Sequence, residues 1–455
     1  MGHSHITVTE EKFEFTSAAR KKILALLVAG VAILAAGIVI AMLGGGAHHE
    51  AGHAGIAGSE QLVASLDNPA ATQGHDEGHH ESPVWLKRLF TTLWMNNVYF
   101  VGLGIIGLFF VAIQYAAQAG WSAGIKRIPL AMAQWLPVAF VSTLVLWFIT
   151  HHDIFHWTHS YLYDQNNPET YDEIIAGKAP FFFWPGESGG FPVFYILRMV
   201  VFFALWIWFF YAIRKNMLAE DQLGGTGFWY KNRSLSAWFL VFFAVSSSVA
   251  AWDWVMSIDT HWFSTMFGWY VFASWWVTGL ALITLVVVHL KEAGYLKIVN
   301  ANHLHDLGKF VFAFSIFWTY IWFGQFLLIW YAHIPEETVY FIERMRTSPY
   351  SWIFFANLIL NFVLPFLLLM TRDAKRHMSM LKLVCPVVII GHWFDFYNMV
   401  TPGVMKTQGG IGFIEIGTAF IFLAAFLWIT LSSLSKMPLF GKNHPMLEES
   451  LHHHI

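Results

Sequence analysis

The stretch WDWVMSIDTHWF, residues 252–263, sets two carboxylates and a histidine between two long apolar runs. Residues 235–256 lie upstream, and residues 264–290 lie downstream, where the aromatic segment Trp269 to Trp276 opens the run. Each run supplies the roughly 20 apolar residues that a helix needs to cross a hydrocarbon core. The stretch therefore reads as the turn between two membrane helices, with Asp253 near the end of the first and Asp259 and His261 in the turn beyond. Charges at that depth are costly and usually mark an ion, proton or ligand path.

Working outward, the same kind of run recurs at 23–43, 97–117, 128–150, 191–213, 310–332, 350–371, 380–400 and 412–434. The chain is 56% hydrophobic, 18% aromatic and only 12% charged, with a mean hydropathy of +0.52. Composition thus predicts an all-α integral membrane protein of about ten transmembrane helices. The alternation expected of a membrane β-barrel is absent.

Orientation follows from Lys and Arg, which concentrate in cytoplasmic loops near the spans. With the N-terminus inside, 19 of the 26 fall on the cytoplasmic side and 6 outside, with Arg198 left within a span. Both termini are therefore expected in the cytoplasm. The first run is too long for a cleaved signal and follows an acidic, aromatic segment at 7–15, so it reads as a retained helix. The single cysteine, Cys385, cannot build a disulfide framework or a thiolate metal site.

Between the first two runs lies GGGAHHEAGHAGIAGSE, followed by GHDEGHHE, a composition with little to bury. Its imidazoles and carboxylates are plausible zinc or copper ligands, but the setting favours loose binding at most, and no metal is assigned. A second outer loop, 151–190, holds HHDIFHWTHSYLYD and FFFWPGESGGFP. There is no repeat with a period of 20 to 50 residues.

The intramembrane polar residues divide by depth. Toward the outer side lie Arg198, about two turns into the fourth helix, together with Asp253, Asp259 and His261. GHWFDFYNM adds His392 and Asp395, three residues apart and so on one helix face, with Asn398 extending it. GGIGFIEIG places Glu415 in the same half, and the third helix ends in His151, His152 and Asp153. Asn398 apart, these ten residues are the proton-transfer candidates, expected to form one cluster shared by several helices. A buried carboxylate near Arg or His is a proton acceptor of adjustable strength. The opposing reading is that Asp253, Asp395 and Arg198 only neutralise one another and fix helix packing. Toward the inner side lie Gln114, Tyr115 and Gln118 on the second helix, and Thr319, Tyr320 and Gln325 on the seventh. They suit either a water path or the polar glue common between membrane helices, with packing the simpler account. Haem would need a second pair of facing histidines at matching depth, and the sequence offers none.

Four blocks carry a family resemblance: FVAIQYAAQAGWS from Phe110, SVAAWDWVMSIDTHWFSTMFGWYVFAS from Ser248, HDLGKFVFAFSIFWTYIWFGQFLLIWYAHIPEE from His305 and HPMLEES from His444. With them the chain resembles the polytopic membrane subunits of the NrfD and polysulfide-reductase type, most nearly the second such subunit of alternative complex III, a bacterial quinol:cytochrome c oxidoreductase. The resemblance implies two adjacent four-helix bundles, 96–256 and 257–401, with the helices at 23–43 and 402–434 flanking them. The segments 1–22, 44–95 and 435–455 are then a cytoplasmic start, an outer loop with its approach to the membrane, and a cytoplasmic tail. The resemblance also implies no cofactor held by this chain, with menaquinol a candidate ligand and haem c and iron–sulfur clusters on partner subunits. Those partners would be a second bundle subunit, an iron–sulfur protein, c-type cytochromes and a terminal oxidase in the bacterial cytoplasmic membrane, with no nucleic acid. A secondary transporter would place charges mid-bundle too, but Pro137, Pro365 and Pro386 are not paired between halves as such folds require. A purely structural membrane anchor is the third reading.

Overall fold

A computed structural model describes residues 10–44 and 82–454. The His-rich stretch with its candidate metal ligands lies outside the described residues. The chain is an all-α, multi-pass membrane protein with ten helices long and apolar enough to span a bilayer among the described residues. They are α1 (Ser17–Gly44), α2 (Val84–Ala116), α3 (Leu136–Ile154), α4 (Val193–Leu223), α5 (Gly227–Trp254), α6 (Phe267–Glu292), α7 (Ala301–Ala332), α8 (Tyr350–Leu368), α9 (Met378–Met405) and α10 (Phe413–Leu434).

Helices α2 to α5 pack on one another as a first bundle and α6 to α9 as a second, while α1 pairs with α10 along the flank. The two bundles meet through α2 and α5 of the first and α6 and α9 of the second. Burial reflects this arrangement: the apolar windows of α2 and α6 are 89% and 83% buried, against 11% for α1. Close approach at the centre depends on missing side chains. A Cβ on Gly102 of α2 would stand 1.8 Å from the Trp275 ring of α6, and one on Gly279 of α6 would stand 2.2 Å from Ile106. Small residues serve membrane helices in this way because dispersion, rather than water exclusion, holds them together.

The segments that open and close the described residues lie on one face. Lys12 bridges Pro438, and the Leu439 amide donates to the Glu11 carbonyl at 2.9 Å. This is the termini face, and the opposite one is the far face. On the far face the 155–190 loop folds into short turns and the helix Glu173–Phe183, capped by Asp172, whose carboxylate accepts from the Ile175 amide. The amphipathic helix Pro335–Arg346 lies between α7 and α8 on the same face.

Helices α2 and α7 differ from the sequence expectation because their polar first turns find partners, and α8 differs because of a proline. Helix α2 begins at Val84 rather than near 97, since Arg88 in its first turns is neutralised by Glu415. Helix α7 begins at Ala301 rather than near 310, since the C-terminal tail takes up its polar first turns: His303 meets Ser450, and Asp306 meets His453. Helix α8 is interrupted by a π-turn at Ile359–Val363. Pro365 has no N–H to return to the Asn361 carbonyl, and a wider turn accommodates that loss.

Candidate functional site

The proton-transfer candidates do not form one cluster. Three of the carboxylates are held by arginines in separate places. Arg198 of α4 grips Asp253 of α5 with two bonds, Nε to Oδ2 at 2.9 Å and Nη2 to Oδ1 at 2.7 Å. Its remaining nitrogen donates to the Phe181 carbonyl at 2.6 Å, and the guanidinium lies over the Phe181 and Phe194 rings. Glu415 of α10 binds Arg88 in the same bidentate manner at 2.6 and 2.7 Å, and also accepts from the Gly412 amide at its own helix start. Asp259 accepts from Arg344 at 2.8 Å, and Arg344 also donates to the Asn398, Tyr340 and Met399 carbonyls. A carboxylate bound this way is already satisfied, because a fork of charge-assisted bonds fixes both its charge and its orientation.

Asp395 differs. It is fully buried in α9, about 26 Å along from Met378 at 1.5 Å per residue. One oxygen accepts from the Tyr270 hydroxyl and from Asn357 Nδ2 at 2.7 Å. The other accepts from Ser274 Oγ at 2.5 Å and Trp318 Nε1 at 2.9 Å. All four donors are neutral, and no Lys or Arg touches the carboxylate among the described residues. The nearest ionisable group beyond Tyr270 is His392, with Nδ1 3.7 Å away, one turn back on the face that the three-residue spacing predicted. Both His392 ring nitrogens are buried and without a hydrogen-bond partner among the described residues.

Each helix of the second bundle contributes to this centre. Tyr270 and Ser274 sit one turn apart on α6, and Trp318 comes from α7. Asn357 and Asn361 come from α8, where the π-turn brings Asn361 against α9. Gly391 makes that approach feasible: a Cβ there would lie 2.2 Å from Asn361 Oδ1. Toward the far face, Tyr270 lines a cavity of about 10 Å³ with Gln325, Asn398, Tyr340 and Arg344. That is room for about one water molecule. The side-chain amides of Gln325 and Asn398 are both buried there without partners among the described residues, and they supply the polar contacts that such a water needs. Beyond them Glu343 reaches Lys406 at 3.3 Å. Burial pushes the Glu343 carboxyl above its ordinary range despite Lys406 nearby, with Asp259 adding to the rise.

The remaining candidates are elsewhere. His261 pairs with Asp172 at 2.5 Å on the far-face loop. His151 stacks on Trp147 with centroids 4.5 Å apart and meets the His152 ring at 4.2 Å. Together they wall a surface groove of about 310 Å³, with Asp153 partly exposed next in sequence. Gln114 and Tyr115 are buried at the termini-face end of α2, as expected of an inner position, whereas Gln118 lies exposed just past that end at φ +54°. Two inner-side expectations are corrected, those for Tyr320 and Gln325. Thr319 bonds back to the Ser315 carbonyl of its own helix, and Tyr320 is 69% exposed on the outer surface of α7. Gln325 belongs to the far half, 24 residues from the true start of α7, because that start was hidden by polar residues.

Sequence reasoning also missed participants. Asn357 and Asn361 stand four apart in an apolar run, a legible one-face signal. Tyr340 and Arg344 have the same spacing in YFIERMR. No signal pointed to Lys126, Glu220 and His444, which are all buried together at the termini face. No protein-family model matches the chain, and comparison with curated proteins finds no significant match.

Proposed function

We propose that this chain is the proton-conducting membrane subunit of a respiratory quinol-oxidising complex, with Asp395 as the central proton carrier. The observation that carries the reading is that Asp395, alone among the four candidate carboxylates other than the partly exposed Asp153, is held by neutral donors and lacks a guanidinium. Such a group can gain and lose a proton without breaking an ion pair, and His392 beside it offers an exchange partner. Tyr270, the water-sized cavity with its two free amides, and Glu343 extend the polar series toward the far face. Asp253 and Glu415 are structural by the same criterion.

The assignment to a quinol:cytochrome c oxidoreductase of the alternative complex III type rests on the resemblance of the four sequence blocks. On this reading the termini are cytoplasmic, as the distribution of Lys and Arg supports, and the far face is the outer one in a bacterial cytoplasmic membrane. Iron–sulfur clusters and c-type haems belong to partner subunits, which carry out electron transfer. The cavity beside Tyr270 has room for about one water and none for a quinone ring, and the resemblance, being to the second bundle subunit, assigns quinol oxidation to a partner. An anchor would have no use for a carboxylate without a counter-charge, and a transporter would work alone.

The test begins with purification of the chain from its native membrane, where haem-bearing and iron–sulfur partners should accompany it. In that complex Asp395→Asn should abolish proton release per electron while assembly is kept, and Asp253→Asn should leave the ratio unchanged. Full proton stoichiometry in Asp395→Asn would overturn the role given to Asp395. Isolation of an active chain without partners would overturn the assignment to a complex.

A further inference from the structure

The termini face of the first bundle ends in a second buried group of charges, remote from Asp395 and on the opposite side. Lys126 follows α2, Glu220 belongs to the last turns of α4, and His444 comes from the C-terminal tail. They are 1%, 2% and 7% exposed. His444 Nε2 stands between the other two, 3.4 Å from Lys126 Nζ and 4.0 Å from Glu220 Oε1. Lys126 also lies over the Tyr115 ring at 4.4 Å. Around this axis Glu220 Oε2 and Arg127 Nη1 are buried with no hydrogen-bond partner among the described residues, and the buried Tyr115 hydroxyl faces the Asn232 amide. Buried polar atoms are rarely left unmatched, so a concentration of them marks a place built for water.

We propose that Lys126, His444 and Glu220 form a buried, hydrated proton-holding site that the C-terminal tail completes and covers. The tail is anchored on both bundles. Glu449 accepts from the Gly120 amide at 3.1 Å, Ser450 bridges the Trp121 carbonyl and His303, and His453 binds Asp306 at 2.6 Å. A Cβ on Gly120 would strike Glu449 at 2.4 Å, so the glycine is what lets the tail lie flat here.

The tautomer of His444 gives the site its chemistry. The Met446 amide donates to His444 Nδ1 at 3.2 Å, so the neutral ring carries its proton on Nε2. Burial, then Lys126 and Arg127, push His444 down to about 2, which keeps it neutral at any physiological pH. Its Nε2–H therefore faces the Lys126 amine at 3.4 Å, a contact that favours the unprotonated amine, while the Glu220 carboxylate at 4.0 Å on the other side favours the ammonium. One proton is exchanged with water, and no electron moves. The other charges facing the pair are Arg127, which is bound to Asp221 at 2.5 Å, and Glu449. Burial pulls Lys126 down to about 8, while Glu220 and Glu449 hold it up against that pull. The amine thus changes charge close to physiological pH.

This site is in the other bundle and does not depend on Asp395 or on a quinol-oxidising complex. The test is a pH titration of the full chain in nanodiscs, labelled with ¹³Cε-lysine, in which Lys126→Arg identifies the resonance by removing it. The Lys126 signal should titrate near pH 8. Glu220→Gln should move the midpoint lower by removing the opposing charge, and His444→Phe should shift it by removing the N–H donor. A Lys126 midpoint near 10.5, with the exposed lysines, would overturn the proposal whether or not the variants fold. A midpoint that neither variant moves would show a buried lysine without the three-residue site, and would overturn it too. The same titration in Asp395→Asn should be unchanged, so a failure of the conduction reading leaves this result standing.

Discussion

Replacing Asp253 by Asn tests whether an intramembrane charge that looks functional in sequence is in fact a structural clamp. The change keeps the shape of the side chain but leaves the Arg198 guanidinium, 9% exposed, without its counter-charge. Removing one partner of a buried pair costs about 3–5 kcal/mol, most of it the burden of the stranded charge. Arg198 would keep its bond to the Phe181 carbonyl, its two aromatic faces and one amide oxygen on the new Asn, which places the effect at the lower end, about 3 kcal/mol. If the pair forms late in folding, nearly all of this appears in the unfolding rate, an acceleration of roughly a hundredfold at a tenfold per 1.36 kcal/mol. The assay is the half-life of the monodisperse, native-fluorescent protein in nanodiscs at a fixed elevated temperature, since unfolding of a chain this large is expected to be irreversible. Replacing both partners, Arg198→Met with Asp253→Leu, should restore most of the loss, because two apolar side chains leave no charge stranded. A single variant whose half-life stays within about threefold of wild type would refute the reasoning and return Asp253 to the list of proton carriers.

Two further outcomes follow from the packing and from the far-face loop. Gly102→Ala should lower stability by about 1–3 kcal/mol through overpacking against Trp275, and the paired change Trp275→Leu should recover part of it in the same half-life assay. Burial alone would push Asp172 up, but the Ile175 amide and His261 hold its carboxyl below the ordinary range. A carboxylate depressed in the folded state stabilises fully above its unfolded value of about 3.9 and loses that contribution as pH falls through the lower, folded value. Proteolytic nicking of the Glu173–Phe183 segment should therefore rise steeply as pH drops below about 4 in the wild type, whereas Asp172→Asn should nick readily with little pH dependence.

The fold was legible because its deciding signal is local. Twenty apolar residues in a row need no partner to be recognised, and the spans at 235–256 and 264–290 reappear as α5 and α6, with α6 agreeing within three residues at both ends and α5 starting eight residues earlier, at Gly227. Boundaries failed where a charge at a helix end is answered from far away. Arg88 and Glu415 are 327 residues apart, and the tail that satisfies the start of α7 is about 150 residues beyond it. Hydropathy scores such residues as polar and stops the helix early, although in the folded chain they are neutralised and the helix continues.

The candidate site divides along the same line. His392 and Asp395 could be put together from the sequence because three residues on a helix fix a face. The guanidinium partners could not: Arg344 reaches Asp259 across 85 residues, and in the sequence it looks like one more surface charge on an amphipathic helix. The carboxylates alone looked equivalent in the sequence, and only the placement of arginines separates them. Asp253, Asp259 and Glu415 each drew a guanidinium from another element, and Asp395 drew a tyrosine, a serine, a tryptophan and an asparagine. A membrane protein that needed only to satisfy a buried carboxylate had an economical solution at hand and used it three times. Keeping the fourth among neutral donors in the middle of a bundle is a different arrangement, and the proton-carrier role proposed for Asp395 rests on that difference.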